Sequence, residues 1–187
     1  MYDKDFLFGK ETIDFVTVAL EFCSYMERAS ESDAKELVDK CSKILPLLYV
    51  KALLIPLSTE DDWDLAESVT EEGYEYLHGK LSALLGQNDA YLSVSMQEMK
   101  YSDTPIAASI SEDLADIYQD LGNFLFVYRE GIEQYMDDAL AKCRYAFDAY
   151  WGSRLLSCLG ALHSLRGLYG LSSLSDGETE IEEELYD

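Results

Sequence analysis

The sequence predicts an all-α protein: a single-domain bundle of about five to seven helices with a central apolar helix, followed by an acidic tail. Three observations carry the prediction. The chain has 187 residues, 48% of them hydrophobic, yet a net charge of -23, and a disordered acidic chain would lack the Leu, Ile, Val, Phe and Tyr that build a core. Apolar residues recur at spacings of three and four along most of the chain, which is the period of an amphipathic helix. No alternating run bounded by turns competes with that period. No linker divides residues 1–170, so they form one bundle domain, and residues 171–187 form a tail predicted to be disordered.

From Thr12 to Arg28, the residues Ile13, Val16, Ala19, Leu20, Cys23 and Met26 mark the apolar stripe of a first helix, widened by Phe15 and Phe22. Ser32-Asp33 caps a second helix. It carries Lys35, Lys40 and Lys43 and becomes apolar all round from Ile44, with Pro46 expected to kink or split it. A helix without a polar face must be surrounded, so Ile44–Leu54 is expected at the centre. An acidic loop around Trp63 leads to a third helix starting near Thr70, with Tyr74, Leu77, Leu81, Leu84 and Leu85 on its apolar side and Gly86 as its stop.

Pro105 breaks the middle of the chain, and Ser109 with Glu112 fits a capping box for the next long helix. The stripe of that helix is Leu114, Ile117, Leu121, Phe124, Leu125 and Tyr128. From Ile132 to about Arg166 a final long helix continues through Met136, Leu140, Cys143, Phe147, Trp151, Leu155, Cys158 and Leu162, with Gly152 or Gly160 as the place to bend. The stretch from Ser172 holds seven acids and no base. Without it 30 acids still face 14 bases, a balance of -16, so the negative field belongs to the folded body.

Composition narrows the function classes. A negative field repels nucleic-acid backbones and anionic head groups, so direct nucleic-acid and membrane binding are not expected and a basic protein partner is. The N-terminus lacks a basic region followed by an apolar one, and the longest apolar run, Ile44 to Leu57, is too short to span a bilayer, so a cytoplasmic protein is expected. Cys23, Cys41, Cys143 and Cys158 show no CxxC spacing and read as reduced core residues.

Four carboxylates offer the one concentrated chemistry. Glu112, Asp113, Asp116 and Asp120 project from one face of the helix, opposite its apolar stripe. They repel one another unless water, a Lys or Arg from a neighbouring helix, or a divalent metal answers them. Asp113, Asp116 and Asp120 are the metal candidates, although one helix cannot surround an ion that takes six or more oxygens. Lys51, alone in the apolar helix, either snorkels to water or pairs with one of these acids, and Arg154 beside Trp151 is a second cation for them. His78 and His163 are single histidines in helical patterns. No phosphate loop, GxSxG or HExxH occurs, so no catalytic residue and no cofactor is assigned. Trp63 among Glu60, Asp61, Asp62, Asp64 and Glu67 is the candidate anchor for a cationic partner.

The segments Lys43-Ile44-Leu45-Pro46-Leu47-Leu48-Tyr49, Tyr101-Ser102-Asp103-Thr104-Pro105-Ile106, Ser111-Glu112-Asp113-Leu114-Ala115-Asp116-Ile117-Tyr118-Gln119-Asp120 and Tyr150-Trp151-Gly152 resemble a family of uncharacterised small acidic all-helical proteins from Bacteroidetes, a domain of unknown function. The likeness spans roughly Thr12 to Leu165. It implies a helical, cytoplasmic, bacterial protein and assigns no reaction, substrate or catalytic residue. Three functions follow as expectations: a non-enzymatic interaction or accessory protein with an acidic docking surface, a Mg- or Mn-dependent hydrolase using the Asp113/Asp116/Asp120 face, and an acidic mimic of nucleic acid.

Overall fold

A computed structural model describes residues 4–58, 64–93 and 106–171. The protein is helical throughout apart from one two-stranded ribbon. A single turn α1 (Lys4–Leu7) precedes α2 (Lys10–Arg28) and α3 (Ala34–Leu53). Then come α4 (Glu71–Leu85), the strands β1 (Ala90–Ser93) and β2 (Ile106–Ser109), α5 (Ile110–Tyr128), α6 (Glu133–Ala146) and α7 (Gly152–Leu168). The predicted caps form: Asp33, Thr70 and Ser109 each accept a hydrogen bond from the backbone N–H three residues on, which satisfies a donor that the first helical turn leaves unpaired. Gly86 ends α4 at φ 55°, a left-handed value that favours glycine.

Helices α2 and α3 pack as an antiparallel hairpin. Lys51 meets Asp14 near one end and Lys40 lies over the Tyr25 ring near the other. In α2 the core face is Phe15, Ala19, Phe22, Cys23 and Met26, so Phe15 and Phe22 lie at its heart, while Ile13 and Leu20 of the expected stripe face outward. Helix α3 runs unbroken through Pro46. Its C-terminal half is not enclosed: Leu47 and Val50 are 55% and 54% exposed, and Leu53 and Leu54 stand out beside them. The helix at the centre is instead α5, which packs against α2, α4, α6 and α7, while α3 lies outside it against α2 and α7.

The ribbon escaped the sequence pattern because its strands are four residues each, and β2 is rich in alanine. Ala90 pairs with Ser109 and Ser93 with Ile106 in antiparallel register. Its role is positional. Immediately before β1, Asp89 is buried and accepts from both the Ser111 N–H at 2.8 Å and the Ser111 hydroxyl at 2.7 Å, and its carbonyl accepts from Ile110 N at 2.9 Å. One residue thus joins the ribbon to the first turn of α5. Asp89→Ala is expected to cost about 2–3 kcal/mol by stranding the buried hydroxyl and an end-of-helix N–H. Asp89→Asn should recover part of that loss, read by denaturant unfolding.

The last expected helix is two helices with a π turn, Phe147–Trp151, between them. The buried residues explain it: Phe147, Trp151 and Leu155 follow at two successive steps of four, which at 100° per residue overshoots a straight line by about 80°. The wider π turn takes up much of that drift, so the core rows of α6 and α7 stay aligned. Of the two glycines considered as bends, Gly152 is the one used. A Cβ there would lie 2.5 Å from the Phe147 carbonyl oxygen, whereas one at Gly160 would meet nothing within 4 Å. All four cysteines are buried and unpaired, and burial pushes the Cys41 thiol up to about 12.

Candidate functional site

The carboxylates of α5 do not form a solvated face. Asp113 is fully buried and Asp116 nearly so, while Glu112 alone is exposed. The reason is the central place of α5: α4 covers the side that the helical period left for water, and α7 covers the adjoining one. Five elements therefore meet at the two acids.

Tyr91 of β1 donates its hydroxyl to Asp113 Oδ2, and Arg154 of α7 lies 3.5 Å from Asp113 Oδ1. Tyr74 of α4 donates to Asp116 Oδ1 at 2.8 Å. Tyr150 of the π turn donates to Asp116 Oδ2, and Arg154 Nε lies 3.9 Å from the same oxygen. The guanidinium also lies over the Tyr150 ring, 5.2 Å from its centre. Each of the four carboxylate oxygens thus has a donor or a cation in reach, and one positive charge is shared between two negative ones. Burial pushes the Asp113 carboxyl up to about 6, against the Tyr91 hydrogen bond and the Arg154 charge. Burial and the hydrogen bond to Asp116 push the Tyr150 phenol up to about 12.

Asp120 belongs elsewhere. One and a half turns along α5, it lines a separate cavity of about 160 Å³ with Leu65, Glu67, Asn123, Phe124 and Lys142. Burial and then the Asp116 charge push its carboxyl up to about 6, and Lys142 opposes them. Asn123, at the same cavity, accepts from Ser68 N at 2.7 Å and Val69 N at 2.9 Å, strapping the segment before α4 onto α5. Among the described residues no three His, Cys, Asp or Glu side chains converge as a metal needs. A cation between Asp113 and Asp116 would have to displace the guanidinium and three phenols already seated there.

Lys51 does not reach α5. It pairs with Asp14 at 2.7 Å, an acid that also holds Lys10 at 2.7 Å. The two ammonium groups hold the Asp14 carboxyl down at about 2. Because Lys10 remains when Lys51 is gone, Lys51→Met should shift the melting temperature by no more than about 2 °C, at low and high salt alike. A larger loss would show that Lys51 is the essential partner.

Of the residues considered as a docking anchor, Glu60, Asp61, Asp62 and Trp63 lie outside the described residues. Asp64 and Glu67 are exposed, with Lys142 4.0 Å from Glu67. Beyond them Glu71, Glu72 and Glu75 are exposed on α4, and Tyr76 beside them is 64% exposed. The residues that sequence reasoning missed are tyrosines. Tyr74, Tyr91 and Tyr150 sit among fourteen, and only the register Tyr74–His78 on α4 or the Tyr150–Arg154 step of four hinted that they share one centre.

A family described as a domain of unknown function (DUF5063) matches residues 7–167. A crystal structure of protein BF1032 from Bacteroides fragilis is similar to this chain with a TM-score of 0.75 and 41% identity, covering 86% of this chain and 94% of that one. No curated protein matches.

Proposed function

Starting from a chain that belongs to the family of domains of unknown function DUF5063, we propose that it acts as a helical interaction protein whose acidic face docks a basic protein partner. The observation that carries this reading is the surface from Asp64 to Tyr76: Asp64, Glu67, Glu71, Glu72 and Glu75 are exposed around an exposed tyrosine, and no Lys or Arg lies among them in sequence. Tyrosine offers a large contact at low entropic cost, and clustered carboxylates steer a cationic surface to it. The buried acids are spoken for by internal donors, which favours this reading over hydrolysis at Asp113 and Asp116. The setting we propose is the cytoplasm, where buried thiols stay reduced.

The test is capture from native lysate by the wild type and by a Glu71→Lys/Glu72→Lys/Glu75→Lys variant, at 0.05 and 0.5 M salt. The expected result is a partner of basic composition, retained at low salt, released at high salt and lost with the charge-reversed variant. Capture that survives the triple reversal would overturn the proposed face. Release of the partner by competing duplex DNA would instead assign the role of a nucleic-acid mimic.

A further inference from the structure

The charge of this protein is not evenly spread. Helices α3 and α7 together carry Lys35, Lys40, Lys43, Lys51, Arg154 and Arg166 against only Glu36 and Asp39. That leaves 35 acids and eight bases for the rest of the chain. The two helices run antiparallel, with Arg166 3.5 Å from Asp39 at one end of their seam. Between them lies an open groove of about 650 Å³ lined by Lys43, Pro46, Leu156, Leu159, His163 and Arg166, among others. Its floor is apolar and its rim basic. The groove continues along α3 past Val50 and Leu53, two of the large apolar side chains left half exposed.

The described chain ends at the mouth of this groove. Beyond α7, Gly170 turns the backbone at φ 65°. Leu171 donates its N–H to the Arg166 carbonyl, and its own carbonyl accepts from Arg166 Nη2, both at 2.8 Å. Residues 172–187 follow directly. They hold seven acids, no base, and Leu174, Ile181, Leu185 and Tyr186 as apolar groups. Sixteen residues reach at most about 50 Å, and the seam from Asp39 to Leu53 is about 21 Å long. We propose that residues 172–187 dock within the same chain in the groove between α3 and α7, acids on the Lys43 rim and apolar side chains against Pro46, Val50 and Leu156. Tethering lets a weak contact suffice, because the local concentration of such a short attached segment is in the millimolar range. This basic, apolar face is distinct from the acidic face of α4, so the two proposals stand or fall separately.

The test uses the full chain with the photo-cross-linking residue benzoylphenylalanine in place of Val50, and in place of Tyr76 as a control. After irradiation, peptide mapping of the monomer band is expected to find residue 50 joined to the 172–187 segment and residue 76 not. Lys43→Glu, or Glu182→Gln/Glu183→Gln/Glu184→Gln, should cut that product at least threefold with the melting temperature unchanged. Cross-links only at dimer mass would replace the proposal with a second copy of the chain as occupant. Cross-links from residue 50 to other segments, equal yields from positions 50 and 76, or no product would each overturn it.

Discussion

Arg154→Leu is expected to lower the melting temperature by about 10 °C at pH 8. The substitution leaves Asp113, fully buried, and Asp116, nearly so, with phenol donors but no cation, and removing one partner of a buried pair costs about 3–5 kcal/mol. Arg154 is 28% exposed at its side chain, which puts the loss toward the low end. At about 2–4 °C per kcal/mol for a chain of this size, that is the drop stated. The loss should shrink at pH 5, because Asp113 titrates at about 6 even in the intact cluster and a stranded carboxylate accepts a proton sooner than it stays charged. The sign for the wild type follows from the same shift. A carboxyl whose folded value is raised binds its proton more tightly in the folded state, so stability rises as pH falls from about 6 toward 4 and is lost as pH rises through 6. Asp120 acts in the same direction. Asp14, held down at about 2, contributes the opposite way: its stabilisation is present above pH 4 and lost as pH falls toward 2. Maximal stability near pH 4–5 is therefore expected, and Asp113→Asn should flatten the fall above it. A melting-temperature difference between wild type and Arg154→Leu that is the same at pH 5 and 8 would rule out an ionised Asp113 as the partner.

Gly152→Ala should destabilise by about 2–4 kcal/mol, against the usual gain of up to about 1 kcal/mol for replacing a helical glycine by alanine. The new methyl would sit 2.5 Å from the Phe147 carbonyl oxygen and 2.9 Å from the Phe147 ring. Backbone cannot yield that distance without unwinding the π turn, and the Phe147 ring is locked edge-on between Tyr49 and Trp151 at 5.2 and 4.7 Å. Gly160→Ala, in open space on the same helix, should stabilise. Opposite signs for two chemically identical substitutions, measured by denaturant unfolding, would tie the cost to the turn. Matching signs would remove the π turn as a constraint on residue 152.

The helices were legible because their caps and stripes are local. Asp33, Thr70 and Ser109 announce starts, and Leu114, Ile117 and Leu121 announce a face. What surrounds a helix is not local. The side of α5 carrying Asp113 and Asp116 looks polar, hence wet, until α4 and α7 close over it. The apolar run 44–54 looks enclosed, yet its Leu47 and Val50 face outward. The pairing of Lys51 was misjudged for the same reason: its neighbour Asp14 is supplied by the α2–α3 hairpin, while Arg154, adjacent to Asp113 only through the π turn, carries the charge on α5. The ribbon was too short for a period to show.

The hydrogen bonds of the carboxylate cluster also set an order of assembly. Its bonds to Tyr91, Tyr150, Arg154 and Tyr74 close loops of 22, 34, 41 and 42 residues, and Lys51 with Asp14 closes one of 37. The seam of α3 on α7, by contrast, joins Asp39 to Arg166 across 127 residues. Loop-closure entropy grows with the logarithm of length, so closing the seam from a free chain costs about 1 kcal/mol more than closing the Arg154–Asp113 loop. The chain accordingly folds as two sequence-local bodies, the α2–α3 hairpin and the ribbon with α4 to α7, and the seam between α3 and α7 is the last surface to close and the first to open.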